Sequence, residues 1–241
     1  MEKVVSRINK ELIDPTTEPV SEKFHRVASA TVASVPIIGG AAVEVFRALI
    51  EPPMSKRQTE WMVQVTDALN GLYESGLVTE FDLQQNERFF TTLVNASNVA
   101  IRNHEKAKLE ALKNAVLNSA LPNSPDDTKQ QLYLNLIERY TSWHLALLVL
   151  FQGPDIWAEN NSHSFPNFYM GSISSVIESA YPELGKQPEL CQLVWKDLYL
   201  NGLLDTDNFN TTMSAAGMLA KRTTQFGDEF INFISCPQNC T

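Results

Sequence analysis

The chain has 241 residues, of which 44% are hydrophobic and 20% charged, and its formal net charge is −9. A chain of this length buries enough apolar surface to fold without a disulfide or metal staple. The negative charge opposes non-specific binding to the phosphate backbone of nucleic acids. Charged and apolar residues alternate in the N-terminal segment, without the continuous apolar run of a signal peptide, so we expect a cytoplasmic protein.

Residues 27–50 form a long apolar stretch that contains Pro36 and the pair Gly39-Gly40. Because the residue before a proline avoids the helical conformation, we predict one helix ending before Pro36 and a second ending at Ile50, before Glu51-Pro52-Pro53. The glycine pair lacks the neighbours of a phosphate-binding loop, and we interpret it as a site of close helix packing. The less favoured alternative is a membrane-active hairpin, because a spanning helix needs about 20 uninterrupted apolar residues. The tip of such a hairpin would consist of Val35, Pro36, Ile37, Ile38, Gly39 and Gly40.

Helical periodicity dominates the middle of the chain. A helix is predicted from Ser55, and a long helix from about Asp82 to Ser119-Ala120. A central helix is predicted to start at Ser124-Pro125-Asp126-Asp127, where Ser, Pro and acidic residues favour a helix N-terminus, and to end near Phe151. The helix predicted from Ser55 has an apolar stripe formed by Trp61, Val65, Ala68, Leu69 and Leu72. The predicted inner side of the long helix is Phe89, Phe90, Leu93, Ala96, Ala100, Ala107, Ala111 and Ala115.

The C-terminal third follows a predicted irregular connector over residues 155–170. Ser172 is predicted to cap a short helix, and Pro188 to start another that leaves through a left-handed turn at Asn201-Gly202. Residues 203–222 have no helical stripe and are predicted to contain a short hairpin. Thr223 or Thr224 is predicted to cap the last helix.

Four histidines and three cysteines are the residues best suited to metal binding or nucleophilic catalysis. No two histidines have the spacing of a local metal site, and Cys236 and Cys240 have no histidine nearby in sequence. His144 lies among apolar residues and is predicted to be a hydrogen-bonded core residue, although a pair with His104 would indicate an enzyme instead. We therefore predict no catalytic residue, no metal site and no cofactor, and we expect a non-enzymatic protein.

Two short motifs occur in the C-terminal third. One is Asn201-Gly202-Leu203-Leu204 at the end of a predicted helix, and the other is Thr224-Gln225-Phe226-Gly227-Asp228-Glu229-Phe230 at the start of the last predicted helix. This layout resembles a winged helix, and the whole chain is similar in layout to bacterial helical proteins of the abortive-infection alpha type. The resemblance implies a mostly α fold, with a helical bundle over residues 1–155 and a winged-helix-like module with at most a short β-hairpin over residues 163–241. It also implies a link to phage defence, and it carries over no catalytic residue.

A winged helix makes DNA binding one functional hypothesis, with Lys196 on the helix that would enter the major groove and Lys221 and Arg222 in the wing. Residues 163–241, however, contain four basic residues against eight acidic ones, which suits a polyanion poorly. The favoured hypothesis is a regulatory or protein-interaction protein with an unidentified protein partner. A DNA-binding regulator and a membrane-active effector remain as alternatives, and the oligomeric state stays open.

Overall fold

The computed structural model describes the backbone of residues 40–237 and the side chains of residues 50–237 other than Pro52. This part of the chain is mostly α-helical with a two-stranded antiparallel sheet, as predicted. The first helices are α1 (Gly40–Glu74), α2 (Glu80–Gln85), α3 (Glu87–Arg102), α4 (Lys106–Ala120), α5 (Asp127–Arg139) and α6 (Ser142–Gln152). The later elements are α7 (Pro154–Asn160), β1 (Met170–Gly171), α8 (Ile173–Ala180), α9 (Pro182–Gly185), α10 (Pro188–Leu200), β2 (Met213–Ser214), α11 (Ala215–Met218) and α12 (Gln225–Ile234).

Helix α1 continues for 35 residues through Glu51-Pro52-Pro53, so the helix end predicted there is wrong. Each proline lacks an amide hydrogen and leaves the carbonyl four residues earlier without its helical donor. The side chains of Ile50, Glu51 and Pro53 in this turn are exposed. The predicted stripe from Trp61 to Leu72 is the face of α1 that packs against the core.

The predicted long helix between residues 82 and 119 is three helices, α2, α3 and α4. Asn103 has an extended backbone (φ −111°, ψ 157°), and its side chain donates to the carbonyl of Val99 at 2.7 Å, which ends α3. Helices α3 and α4 then run antiparallel, and the start of α3 contacts the end of α4. The side chain of Asn86 before α3 donates to the carbonyl of Ser119 in the last turn of α4 at 3.3 Å. Phe90, predicted to face inward, is 61% exposed, because it lies about 100° round α3 from the buried Phe89. Ala107 is exposed as well.

The predicted central helix ending near Phe151 is divided into α5 and α6. The cap of α5 is Asp126 rather than Ser124, because its carboxylate accepts a hydrogen bond from the backbone N–H of Lys129 at 3.0 Å. Tyr140 has an extended backbone (ψ 146°), which separates the two helices.

The predicted irregular connector over residues 155–170 is partly helical, because α7 extends to Asn160. Pro154 lies in the first turn of α7, where a missing amide hydrogen is tolerated. Trp157 is buried, and its Nε1 donates to the hydroxyl of Tyr181 after α8 at 3.1 Å. This contact ties α7 to the elements that follow it.

One hydrophobic core extends from Trp61 in α1 to Ile234 in α12. Helix α12 closes it: the ring of Tyr133 in α5 is fully buried, with its centroid 5.3 Å from that of Phe226 and 5.3 Å from that of Phe233. The side chain of Asn118 in α4 also donates to the carbonyls of Phe233 and Ser235, both at 2.8 Å. The core therefore crosses residue 155, and the division into units over residues 1–155 and 163–241 stays a prediction.

Candidate functional site

The C-terminal unit, defined here as residues 163–237, contains three successive helices followed by a paired loop. After α8, α9 and α10, the backbone N–H of Asp205 donates to the carbonyl of Arg222 at 2.9 Å, and Leu204 lies opposite Thr223 in an antiparallel bridge. This pairing closes the loop 205–222, where a hairpin was predicted. Strand β2 lies within the loop and pairs antiparallel with β1, so that Met170 faces Ser214.

The two motifs that carry the winged-helix resemblance contact each other directly. Gly202 has a φ of +73°, as predicted for the exit from α10, and its carbonyl accepts a hydrogen bond from the hydroxyl of Thr224 at 2.6 Å. The same hydroxyl accepts from the backbone N–H of Gly227 at 3.0 Å, so Thr224, one of the two predicted candidates, is the cap of α12. A Cβ at Gly227 would overlap the carbonyl oxygen of Leu203. Glycine is therefore needed here because α12 starts directly against the backbone that leaves α10.

Helix α10 has one buried face and one solvent face. Trp195 on the buried face packs edge-on against Phe151 at 5.1 Å between centroids, and its Nε1 donates to the carbonyl of Thr206 at 2.8 Å. The solvent face, called here the α10 face, is formed by Glu189, Leu193, Lys196 and Leu200. Leu193 is 64% exposed and Leu200 is 67% exposed, although burying a leucine side chain is energetically favourable.

All three predicted nucleic-acid contacts are already engaged within the chain. Nζ of Lys196 lies 2.5 Å from Oδ1 of Asp207 and 5.2 Å from the centre of the Tyr199 ring. Lys221 forms an ion pair with Asp228 in α12, and Arg222 donates to the carbonyl of Gly217 inside the loop. The three cations thus belong to three separate local contacts.

The carboxylate of Asp228 shows how firmly Lys221 is held. Burial by itself would raise the pKa of Asp228, but hydrogen bonds from Lys221 and Thr223 hold that pKa below its ordinary value. The hydroxyl of Thr223 donates to Oδ1 of Asp228 at 2.7 Å, and the Lys221 ammonium contacts the other oxygen. Releasing Lys221 to a phosphate group would leave this half-buried carboxylate without its cation.

The predicted membrane hairpin falls almost entirely outside the described residues. Val35, Pro36, Ile37, Ile38 and Gly39 lie outside them, and Gly40 is the first residue of α1. Among the residues that the structure describes, no helix combines the length and the apolar character needed to cross a membrane.

His144 lies beneath α10, at the junction with α5 and α6. Its Nδ1 accepts a hydrogen bond from the backbone N–H of Thr141 at 3.2 Å, so the ring proton belongs on Nε2. Nε2 faces Oδ2 of Asp197 in α10 at 3.6 Å, and Arg139 donates to Oδ1 of the same carboxylate at 3.0 Å. Burial lowers the pKa of His144 below its ordinary value, against the Asp197 carboxylate, which raises it.

The hydroxyl, imidazole and carboxylate at this junction lie where a helix cap meets a contact between helices. The hydroxyl of Thr141 is 2.9 Å from Nδ1 of His144 and forms part of the capping box that starts α6. Asp197 contacts His144 and thereby joins α10 to this capped turn. The sequence did not reveal this contact, because Asp197 and His144 are distant along the chain. Within residues 50–237, apart from Pro52, no group of three or more His, Cys, Asp or Glu side chains is placed to hold a metal ion.

A groove of about 570 Å³ is lined by α2, by the end of α4 and by the starts of α3 and α5. Phe81, which is 71% exposed, forms part of its lining. Arg88 is the cation of this groove, and its Nε lies 2.7 Å from Oδ1 of Asp127. The lining is therefore mixed, with its positive charge neutralised by a carboxylate in the same groove.

Comparisons with protein-family models, with curated protein sequences and with solved structures found no match for this chain. The resemblance to abortive-infection alpha proteins therefore stays a prediction that depends on the two short motifs.

Proposed function

We propose that this chain is a non-enzymatic regulatory protein of the cytoplasm, whose winged-helix-like C-terminal unit binds another protein through the α10 face. The observation that carries the proposal is the exposure of Leu193 (64%) and Leu200 (67%) on one side of α10. Exposed apolar side chains that share a helix face are typical of helix-mediated protein contacts. In a winged helix, the equivalent helix is the one that reads its target.

The charges near α10 favour a protein over DNA as that target. A DNA-reading helix needs cations free to contact phosphates. Lys196 is instead paired with Asp207, and Lys221 with Asp228. A protein surface can cover the two leucines without breaking either ion pair.

The expected affinity follows from the exposed leucine area. Complete burial of a leucine side chain contributes about 1.5–3 kcal/mol, so burying the exposed two-thirds of Leu193 and Leu200 contributes about 2–4 kcal/mol together. Association costs at least about 4 kcal/mol in lost translational and rotational freedom. The two leucines therefore need polar contacts at the rim, and we expect a transient complex rather than an obligate one.

Site-specific crosslinking in living host cells tests the proposal. A photoreactive amino acid at position 193 should give one discrete adduct with another protein, and Leu200→Asp should abolish that adduct. The matched control is the same photoreactive group at position 132, because Leu132 is 46% exposed on α5 and is not part of the α10 face. Identical adducts from both positions, or none from position 193, would contradict the proposal.

A DNA-binding regulator is the second candidate, favoured by the order of α8, α9 and α10 before the paired loop 205–222. Because Lys221 and Arg222 are held within the chain, we expect no mobility shift of duplex DNA even at low salt. A shift that the double substitution Lys221→Ala and Arg222→Ala weakens would establish DNA binding instead.

Phage defence is the proposed setting, supported by the resemblance of the two C-terminal motifs. Deletion of the gene from its host should raise the plaque count of at least one phage. Complementation with the wild-type gene should reverse the effect, whereas complementation with Leu193→Asp and Leu200→Asp should not. Equal plaque counts with and without the gene across a broad phage panel would remove this setting and leave the binding proposal intact.

A further inference from the structure

We infer that the protein partner presents a basic amphipathic helix to the α10 face, an inference that rests on the proposed function. The partner helix would place two apolar side chains on Leu193 and Leu200 and would carry lysine or arginine on both sides of that apolar centre.

The apolar part of the α10 face has the geometry of a helix-packing seam. Leu193 and Leu200 are seven residues apart, which is almost two helical turns and a rise of about 10 Å. They therefore lie nearly on one line along the helix, with Glu189 one turn before Leu193 on the same side. A second helix laid along this line can contact both leucines with residues of the same spacing.

The charged ends of the α10 face determine the sign of the partner. Near the start of α10, Glu183, Lys186 and Glu189 are exposed, and just after its end Asp205 is exposed. No ion pair involves any of them among the described residues, so each end has one net negative charge. Lys196, the cation of the face, is neutralised by Asp207 at 2.5 Å. The face is therefore apolar in the centre and negative at both ends, and cationic side chains at the two ends of a partner helix complement it.

The same charges disfavour a second copy of this chain as the occupant. A parallel pair of α10 helices would bring Glu189 of one copy next to Glu189 of the other. An antiparallel pair centred on the leucines would bring Glu189 of one copy next to the Leu204–Asp205 end of the other. Like charges then meet in both arrangements, which costs affinity.

A display library of helical peptides with randomised surface positions, selected on the full-length chain, tests the inference. We expect enriched peptides to carry two apolar residues seven apart, flanked by Lys or Arg. Glu189→Lys should weaken their binding about tenfold, and peptides with Lys and Arg replaced by Glu should bind that variant better than the wild type. Glu87→Lys in α3 is the matched control and should leave binding unchanged, since Glu87 is an exposed acid on a different helix.

The outcomes separate the inference from the proposed function. If the enriched peptides lose binding with Leu193→Asp but are acidic, or are indifferent to Glu189→Lys, the α10 face binds helices and the basic partner is wrong. If no peptide is enriched in a manner sensitive to Leu193→Asp, the binding function of the α10 face fails as well.

Discussion

Replacing Gly227 with alanine tests the closest backbone approach in the C-terminal unit. The added Cβ would overlap the carbonyl oxygen of Leu203 and lie 3.2 Å from its carbonyl carbon. Overpacking of this kind costs about 1–3 kcal/mol, and no side-chain rotation can relieve a clash with backbone, so the upper part of that range applies. Alanine returns up to about 1 kcal/mol through its higher helix propensity. We therefore expect the free energy of unfolding to fall by about 2 kcal/mol.

The matched control is Gly71→Ala, the same substitution inside α1. No atom lies within 4 Å of a Cβ at this position, and we expect a gain of about 0.5–1 kcal/mol from helix propensity alone. Thermal unfolding of the full-length chain followed by circular dichroism provides the assay. A loss of 2 kcal/mol corresponds to a fall in Tm of about 4–8 °C for a chain of this size. If Gly227→Ala raised the Tm as Gly71→Ala does, the contact between α12 and Leu203 would be refuted.

Three further substitutions or reactions probe the junctions of the fold. Burial holds the pKa of His144 below its ordinary 6.5, so the unfolded chain binds a proton first as the pH falls, and stability should decrease below about pH 6.5. In urea titrations at about pH 7.5 and about pH 5.5, His144→Gln should reduce this decrease; an unchanged decrease in the variant would contradict the prediction. Asn118→Ala removes the donor to several carbonyls at the end of α12 and should lower the free energy of unfolding by about 1–3 kcal/mol; an unchanged urea midpoint would contradict it. Burial raises the pKa of Cys191 to about 11, so a disulfide reagent at neutral pH should label the exposed Cys236 and reach Cys191 only on unfolding, in a variant lacking the third cysteine.

Local signals in the sequence predicted the elements around α10 correctly. Pro188 begins α10, Gly202 provides its left-handed exit, and Thr224 caps α12. Each of these signals acts within a few residues of the backbone that it shapes, so a linear pattern contains all the information needed. The mostly α fold class followed from the same kind of periodicity.

The breaks between α3 and α4 and between α5 and α6 could not be predicted, because they stabilise each other across the chain. Ser142 at the start of α6 donates from its hydroxyl to the carboxylate of Glu105, the residue that precedes α4. Nζ of Lys108 in α4 donates to the carbonyl of Glu138 at 2.8 Å, near the end of α5. A periodic apolar pattern continues through both breaks in the sequence, and only the folded arrangement supplies the partners that end the helices there.

The binding residues could likewise be predicted only in part from the sequence, because their partners and their exposure depend on the fold. The sequence identifies Lys196, Lys221 and Arg222 as cations near a winged-helix-like segment, but it does not reveal their acidic or carbonyl partners. It also does not show that Leu193 and Leu200 face solvent, because a leucine at helical spacing is usually a core residue. Leu193 and Leu200 become candidate binding residues because they are exposed, and their exposure depends on which face of α10 the core covers.

The position of α12 at the end of the described chain has a consequence for protein synthesis. Lys129 in α5 and Glu229 in α12 form an ion pair at 2.5 Å although 100 residues separate them. At a translation rate of about 5–20 residues per second, the α5 surface around Tyr133 is made about 5–20 s before the helix that covers it. During that interval the growing chain displays a large aromatic side chain, and we expect chaperones that bind apolar segments to engage it there until α12 arrives.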